Sequence, residues 1–216
     1  MKADKTIIYD NHCPLCTAYT AVFVNAGVLT NDGRKSFATA NTCILNTIDM
    51  QRARHEIPVI DNQTGQVLYG VDGLAEIAAG IFPSLKKLFT NHRAKAFIKP
   101  LYNFISYNRR IIAGSPPETE TEIICAPDFN LKWRLALITS GMAYTAGCIY
   151  AFGSLMQISL PVLYAFVTAY FFLLVLADFL LNKAFVNKCD YIGHLATLGF
   201  VEGTLFVLTA LLSKLT

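Results

Sequence analysis

The C-terminal part of the chain is dominated by long apolar runs. Residues 135–177 contain no Lys, Arg, Asp or Glu. As one helix this segment would be about 65 Å long, whereas the hydrocarbon core of a bilayer is only about 30 Å thick. Polar and turn-forming residues at 153–161 divide it, and a third apolar run ends at Ser213. The pattern predicts three transmembrane helices, at 133–155, 160–182 and 191–213; the alternative is the buried helical core of a soluble protein.

The N-terminal part instead shows the short periodic segments of an α/β domain. A run of β-branched and aromatic residues at 6–9 predicts a buried strand, and residues 17–27 predict a helix. Residues 56–60 and 67–70 flank a turn that contains Asn and Gly, and they predict a β-hairpin. Apolar positions at helical spacing follow this hairpin and predict a further helix.

Composition and charge separate these two parts. Hydrophobic residues make up 54% of the 216 residues and charged residues only 15%, against about 25% charged in a typical soluble domain. The net charge of +3 is too small by itself to indicate a nucleic-acid partner. The expected organisation is an α/β domain with a basic helical extension at 1–114, a linker at 115–130 and an all-α transmembrane region of three helices at 131–216.

The charges that flank the apolar runs predict an orientation. Residues 1–5 are polar and the next apolar segment is short, so the N-terminus does not have the pattern of a signal peptide. The four basic residues near the ends of the first two runs fall on one side of the predicted membrane, and the first loop is uncharged. These residues are Lys132, Arg134, Lys183 and Lys188. We therefore expect an integral membrane protein whose N-terminal domain faces the cytoplasm, although Lys214 opposes this scheme.

A Cys-x-x-Cys motif follows the first predicted strand. Cys13 and Cys16 stand at the start of the predicted helix, and Pro14 suits the first helical position. Free N–H groups and the helix dipole at that end favour a thiolate. Cys16 lies about one turn later, within reach of a mixed disulfide on Cys13. We therefore expect Cys13 to be the nucleophile and Cys16 the resolving thiol of a thiol-disulfide exchange.

The segment Tyr-Asp-Asn-His-Cys-Pro-Leu-Cys at 9–16 resembles the signature of the DCC family of predicted thiol-disulfide oxidoreductases. That family is named for its Asp-x-x-Cys-x-x-Cys motif, and Asp10, Cys13 and Cys16 match it. The resemblance extends over residues 5–112, outside the apolar runs, and implies a thioredoxin-like fold that needs no cofactor. In such a fold a cis-proline facing the dithiol begins the strand that follows the first βα unit. Pro58 occupies that place, although a proline at the first residue of a strand can also be plain strand-edge chemistry.

The cysteines also fit two roles other than redox chemistry, metal binding and simple packing. His12 adjoins Cys13, so a metal site formed by the two motif cysteines, His12 and Cys43 is an alternative, although no second Cys-x-x-Cys completes a typical zinc site. Cys43 and the remaining cysteines, Cys125, Cys148 and Cys189, lack a partner at motif spacing and are expected to be inert small side chains. Asp10 either tunes Cys13 or accepts its proton, or it caps the helix turn.

A basic, aromatic-rich segment precedes the linker. Residues 84–110 contain Lys and Arg but no acidic residue, and aromatic side chains are interspersed among them. Because membrane spans follow, we expect this segment to lie on anionic lipid. The alternatives are a solvated helix face and, least favoured, a nucleic-acid surface.

Three polar residues interrupt the apolar runs. Glu202 lies near the middle of the third predicted span, where a charge costs at least about 2.5 kcal/mol, and Asp178 and His194 lie nearer the span ends. The three residues are a possible intramembrane polar site, with Glu202 as a proton site for a redox relay. The alternative is that Asp178 and His194 simply reach the interface.

The sequence thus predicts a membrane-anchored thiol-disulfide oxidoreductase with a Cys13–Cys16 dithiol-disulfide couple. The expected partners are the lipid bilayer and a protein or small molecule that carries a disulfide or thiol. No metal, cofactor or nucleic acid is expected. The alternative is a non-enzymatic membrane protein whose dithiol senses redox state or binds a metal.

Overall fold

A computed structural model describes residues 4–80, 89, 91–114, 125–180 and 185–214 of the chain. The side chains of residues 160, 174 and 177–179 lie outside this description. The chain divides into two compact units, Met1–Asp128 and Phe129–Thr216. The division lies within the predicted linker, most of which falls outside the described residues.

The first unit contains a mixed four-stranded sheet. Its strands are β1 (Lys5–Tyr9), β2 (Arg34–Ser36), β3 (Pro58–Asp61) and β4 (Val67–Tyr69). The order across the sheet is β2-β1-β3-β4. β1 runs parallel to β2, whereas β3 is antiparallel to both β1 and β4. The predicted first strand and the predicted hairpin are confirmed.

Helices cover both faces of this sheet. They are α1 (Pro14–Asn25), α2 (Thr42–Asn46), α3 (Met50–Ala53), α4 (Gly70–Ala78) and α5 (His92–Ala113). Because side chains alternate along a strand, the neighbours Ile7 and Ile8 of β1 enter two different cores. Ile7 packs with residues of α1 and α4, and Ile8 packs with residues of α2 and α3. The predicted helices after the first strand and after the hairpin are therefore both present.

The prediction of a cis-proline at position 58 is wrong. No cis peptide bond occurs among the described residues, so the Ile57–Pro58 bond is trans. Pro58 is the first residue of β3 and pairs with Tyr69, and the Ile57 carbonyl accepts a hydrogen bond from Gly70 N–H at 2.9 Å. The hairpin therefore continues across this bond in an extended conformation, to which the trans isomer is suited. The trans form is also the intrinsically preferred one, by about 0.5–1 kcal/mol.

The second unit is helical. It contains α6 (Leu131–Leu155), α7 (Leu160–Leu180) and α8 (Phe185–Ser213). By length and composition α6 and α8 are apolar enough to cross a membrane, and α7 contributes a shorter apolar stretch, Pro161–Leu173. The structure therefore supports two candidate spans among the described residues. α8 begins six residues before the predicted start at 191.

Small residues let α6 and α8 approach closely. A Cβ atom added to Gly141 would lie 2.8 Å from the Ala196 Cβ atom, and one added to Gly199 would lie 2.5 Å from the Thr145 hydroxyl oxygen. Such contacts are typical of helix pairs in membranes, where small side chains let the backbones pack together.

Candidate functional site

Local sequence places the dithiol at the beginning of α1. β1 ends at Tyr9, and Cys13 is the N-cap residue of the helix, with Pro14 at its first position. Sγ of Cys13 accepts a hydrogen bond from the Cys16 N–H at 3.4 Å. The predicted position of Cys13 at a helix N-terminus is confirmed, and a thiol here takes the place of the usual Ser or Asp cap.

The two cysteines have opposite acid–base properties. The hydrogen bond from the Cys16 thiol, together with the one from its backbone N–H and the charge of Arg109, lowers the pKa of Cys13 to about 6, against the opposing effect of burial. The pKa of Cys16 is strongly raised because its thiol donates to Cys13 and because it is buried. At neutral pH the reduced pair is therefore a thiolate at Cys13 and a thiol at Cys16, both of them free cysteines.

Both sulfur-bearing residues are buried. Cys13 is 0% exposed and Cys16 is 6% exposed. Of the two, only Cys16 lines the cavity described below. A large partner therefore has no open path to the thiolate in this conformation.

Asp10 anchors the turn before the dithiol. Its Oδ1 accepts the His12 N–H at 3.0 Å, so Asp10 caps the turn before the helix, whereas the helix cap itself is Cys13. Its Oδ2 lies 3.4 Å from Arg110 Nη2 and 3.6 Å from Arg109 Nη2. The carboxylate charge also raises the pKa of Cys13, as the last of the contributions to that pKa. Asp10 thus caps the turn and has only a minor, opposing influence on the thiolate.

Arg109 is the site residue that sequence reasoning missed. It lies on α5, is 7% exposed, and donates from Nη1 to the Arg54 carbonyl at 2.9 Å. Its charge lowers the pKa of both motif cysteines. In the sequence it is one basic residue of a basic segment, and the detectable signal is helical spacing, because Tyr102, Ser106 and Arg109 lie on one face of α5.

The structure gives the basic segment two different faces. One face of α5 is buried and contains Ser106 and Arg109, whereas Phe97, Leu101 and Ile105 are exposed. Residues 84–88 and 90 of the segment lie outside the described residues. An exposed apolar stripe on a basic helix suits the expected lipid contact, and Arg109 is not part of that stripe.

A cavity of about 300 Å³ lies beside the dithiol. α1 contributes Cys16 and Tyr19, and α5 contributes Tyr102 and Arg109. The other lining residues are mainly apolar, among them Phe37, Ile57 and Leu74. Burial raises the pKa of Tyr19 well above its usual value and that of Tyr102 to about 12, so both phenols keep their protons at neutral pH. A largely apolar cavity with a few polar groups and perturbed pKa values has the properties of a ligand site.

The alternative metal site is not assembled. Among the described residues no group of three or more His, Cys, Asp or Glu side chains is placed to hold a metal ion. Cys43 is exposed on α2, whereas Cys13 and Cys16 are buried.

Pro58 does not have the role of a cis-proline facing the dithiol, because the Ile57–Pro58 bond is trans.

Of the three residues predicted to form an intramembrane polar site, His194 and Glu202 are exposed on α8. The side chain of the third, Asp178, lies outside the described residues. The structure shows instead a pair that the sequence did not suggest. Arg134 Nη2 lies 3.2 Å from Asp190 Oδ1, and Arg134 is buried. This pair joins the first turn of α6 to α8.

Comparison with known proteins returned no relatives: no family model, curated protein or solved structure matches the chain. The resemblance to the DCC family therefore rests on the motif itself and its placement at the start of α1.

Proposed function

We propose that the protein is a membrane-anchored thiol-disulfide oxidoreductase that uses the Cys13–Cys16 pair. The observation that carries this proposal is the hydrogen bonding of Cys13 Sγ by Cys16, which lowers the pKa of Cys13 to about 6. An inert buried cysteine has a raised pKa instead. A stabilised thiolate beside a protonated thiol is the arrangement that dithiol exchange requires.

The proposed reaction has two steps. The Cys13 thiolate attacks one sulfur of a substrate disulfide, which forms a mixed disulfide and releases the other substrate sulfur as a thiolate. Cys16 then loses its proton and attacks Cys13 Sγ, which releases the second substrate thiol and leaves the Cys13–Cys16 disulfide. Arg109 supplies a positive charge near both sulfurs and offsets the charge of each thiolate.

The sheet topology supports a thioredoxin-like fold for the first unit. A βαβ unit formed by β1, α1 and β2 is followed by the antiparallel pair β3–β4 and then by α4. The dithiol lies where the first strand passes into the first helix, as in the DCC resemblance. The trans Ile57–Pro58 bond is a departure from that fold.

For the second unit we propose three transmembrane helices, with α7 as the third, and a dithiol domain on the cytoplasmic side. α7 has 21 residues, enough for about 30 Å, the thickness of a bilayer core. In a reducing cytoplasm the pair rests as a dithiol and donates electrons.

A trapping experiment tests the proposed function. In the Cys16→Ser variant the mixed disulfide on Cys13 cannot be resolved, so the substrate stays attached and is identified by mass spectrometry of the full chain from native membranes. Cys43→Ser is the matched control, since Cys43 is exposed and lies outside the motif. Failure of Cys13 to form any mixed disulfide, with no disulfide-reductase activity in the wild type, would contradict the proposal.

Complete burial of Cys13 favours a second candidate, a dithiol that senses redox state without turnover. In that case a disulfide oxidises the pair once and is itself reduced to two thiols, and the new Cys13–Cys16 disulfide changes the protein's conformation. An assay of disulfide reduction in the presence of an added dithiol reductant distinguishes a sensor from an oxidoreductase. A sensor reduces at most one disulfide per chain, whereas an oxidoreductase reduces many.

A further inference from the structure

The cavity beside Cys16 is built mainly from apolar side chains. Its apolar lining includes Leu15 and Tyr19 of α1, Ile105 of α5, and Phe37 and Ile57, which adjoin strands β2 and β3. A volume of about 300 Å³ is at the lower end of the range for small-molecule sites. The cavity therefore selects a compact ligand with an apolar body.

One buried hydrogen-bond donor at this cavity lacks an acceptor among the described residues. Nε of Arg109 is buried and has no hydrogen-bond partner among the described residues, although the two Nη atoms bind carbonyl oxygens of Arg54 and Cys125. Tyr102 Oη accepts the Ile57 N–H at 2.9 Å, which leaves its own hydrogen to donate. A buried donor without an acceptor costs about 1–3 kcal/mol, so a ligand oxygen placed here recovers that free energy.

We infer that this cavity is the substrate site of the dithiol and binds a small, largely apolar organic disulfide that carries an oxygen acceptor for Arg109 Nε. The inference rests on the proposed function and narrows its substrate class. Three observations support it: Cys16 lines the cavity, the Cys13 thiolate is hydrogen-bonded to Cys16, and neither cysteine is open to a large partner.

The reaction balances for a cyclic disulfide. The Cys13 thiolate bonds to one ring sulfur, the ring S–S bond breaks, and the other ring sulfur takes the proton of Cys16. The Cys16 thiolate then bonds to Cys13 Sγ and displaces the first ring sulfur, which takes a proton from solvent. Two electrons pass from the protein dithiol to the ligand, which leaves as a dithiol.

Single-turnover oxidation of the pre-reduced full chain in detergent tests the inference. Lipoamide is the probe, because it has a cyclic disulfide, an aliphatic chain and an amide oxygen; glutathione disulfide, which is larger and charged, is the comparison. Loss of the Cys13 thiolate is followed as a function of probe concentration. We expect the rate of oxidation to saturate as the lipoamide concentration rises. The second-order rate constant for glutathione disulfide should be at least about tenfold lower than that for lipoamide, a difference equivalent to one lost buried contact.

Two substitutions on α5 provide a matched pair. Ile105→Trp places an indole at the edge of the cavity and should raise the half-saturating lipoamide concentration about tenfold or more, since indole and ligand compete for the same space. Leu101 lies one turn away, is also exposed and does not line the cavity. Leu101→Trp should therefore leave that concentration unchanged within about twofold, less than the effect of one lost contact.

A binding measurement separates failure of this inference from failure of the proposed function. Lipoamide binding to the Cys13→Ala/Cys16→Ala chain is measured by ligand-observed NMR, with the Ile105→Trp form of the same chain as the reference for partition into micelles. Binding that Ile105→Trp abolishes supports the cavity. The inference is wrong if no such binding is found. It is also wrong if both disulfides oxidise the pair at equal rates that do not saturate with concentration. In either case the oxidoreductase proposal is unaffected. If neither disulfide oxidises the pair, the oxidoreductase proposal itself fails.

Discussion

Asp10 Oδ2 lies 3.6 Å from Arg109 Nη2, and both side chains are almost completely buried, at 4% and 8% exposure. The pair joins the turn before the dithiol to α5, which lies far along the chain. Arg109 also donates to backbone carbonyls, so its charge is held in place beside the two sulfurs. The position of the dithiol and the position of α5 are therefore coupled.

Asp10→Asn should lower the free energy of unfolding by about 3–5 kcal/mol, because it leaves the buried Arg109 charge without its carboxylate. Lys95→Ala breaks the ion pair with Asp72, which is much more exposed, and should cost less than about 1 kcal/mol. Urea unfolding of the full chain in detergent measures the free energy of unfolding of both variants. The unfolding is monitored by the alkylation of Cys125, which is buried in the folded chain. Equal effects of the two variants would show that the Asp10–Arg109 pair contributes no more than a surface pair.

The thiolate of Cys13 should titrate near pH 6, as its pKa indicates. In Cys16→Ala the hydrogen bond from the Cys16 thiol is lost, and the pKa of Cys13 should rise towards the ordinary thiol value of about 8.5. Ultraviolet absorbance of the thiolate measures the titration, and Cys13→Ser gives the background from the other cysteines. An unchanged titration in Cys16→Ala would exclude the Cys16 thiol as the main cause.

The stability of the reduced protein should rise with pH between about 6 and 8.5. In this window Cys13 is a thiolate in the folded chain and a thiol in the unfolded chain, so the unfolded state binds more protons. The contribution is lost as the pH falls through the folded pKa of about 6, with a slope of at most about 1.4 kcal/mol per pH unit for one proton.

Urea midpoints at several pH values in the presence of a reductant measure this slope. Cys13→Ser should flatten it. A slope that persists in Cys13→Ser would assign the pH dependence to another group.

Gly141→Ala should weaken the packing of α6 against α8. The new methyl group would meet the Ala196 Cβ at 2.8 Å and the Ala196 backbone oxygen at 3.0 Å, an overpacking that typically costs about 1–3 kcal/mol. Gly147→Ala on the same helix meets nothing within 4 Å and should be neutral or stabilising by up to about 1 kcal/mol, owing to the helix propensity of alanine. The thermal stabilities of the two variants are compared by measuring the temperature at which Cys148, buried in the folded chain, becomes reactive to a thiol reagent.

Cys43 should report the side of the membrane on which the dithiol domain lies. It is the exposed cysteine among the free cysteines, whereas the burial of Cys13 makes Cys13 a poor target. A membrane-impermeant maleimide should label Cys43 only after permeabilisation, because the basic residues flanking the spans predict a cytoplasmic domain. Cys43→Ser is the control for specificity. Labelling of Cys43 in intact cells would reverse the topology and, with it, the expected direction of electron transfer.

The sequence by itself determined the features that depend on neighbouring residues. The β-branched run before Cys13, the proline at the first helical position and the three-residue spacing of the cysteines place the dithiol at the start of a helix, as the structure confirms. The apolar runs likewise predicted long helices, two of which are candidate spans. Periodicity and capping act over one or two turns, so they can be read from a single segment.

Only the tertiary structure decided which distant residues meet. Arg109 reaches the dithiol because α5 packs beside α1. Helical spacing groups it with Tyr102 and Ser106, but it does not show that this face of α5 meets the dithiol. The isomer at Pro58 was decided by hairpin pairing on both sides of the bond, and the Arg134–Asp190 pair by the packing of α6 on α8. These contacts form between segments that no local pattern links, because burial and charge pairing are satisfied by the whole fold. The cavity beside Cys16 has the same origin: helices and strands from separate parts of the first unit supply its walls.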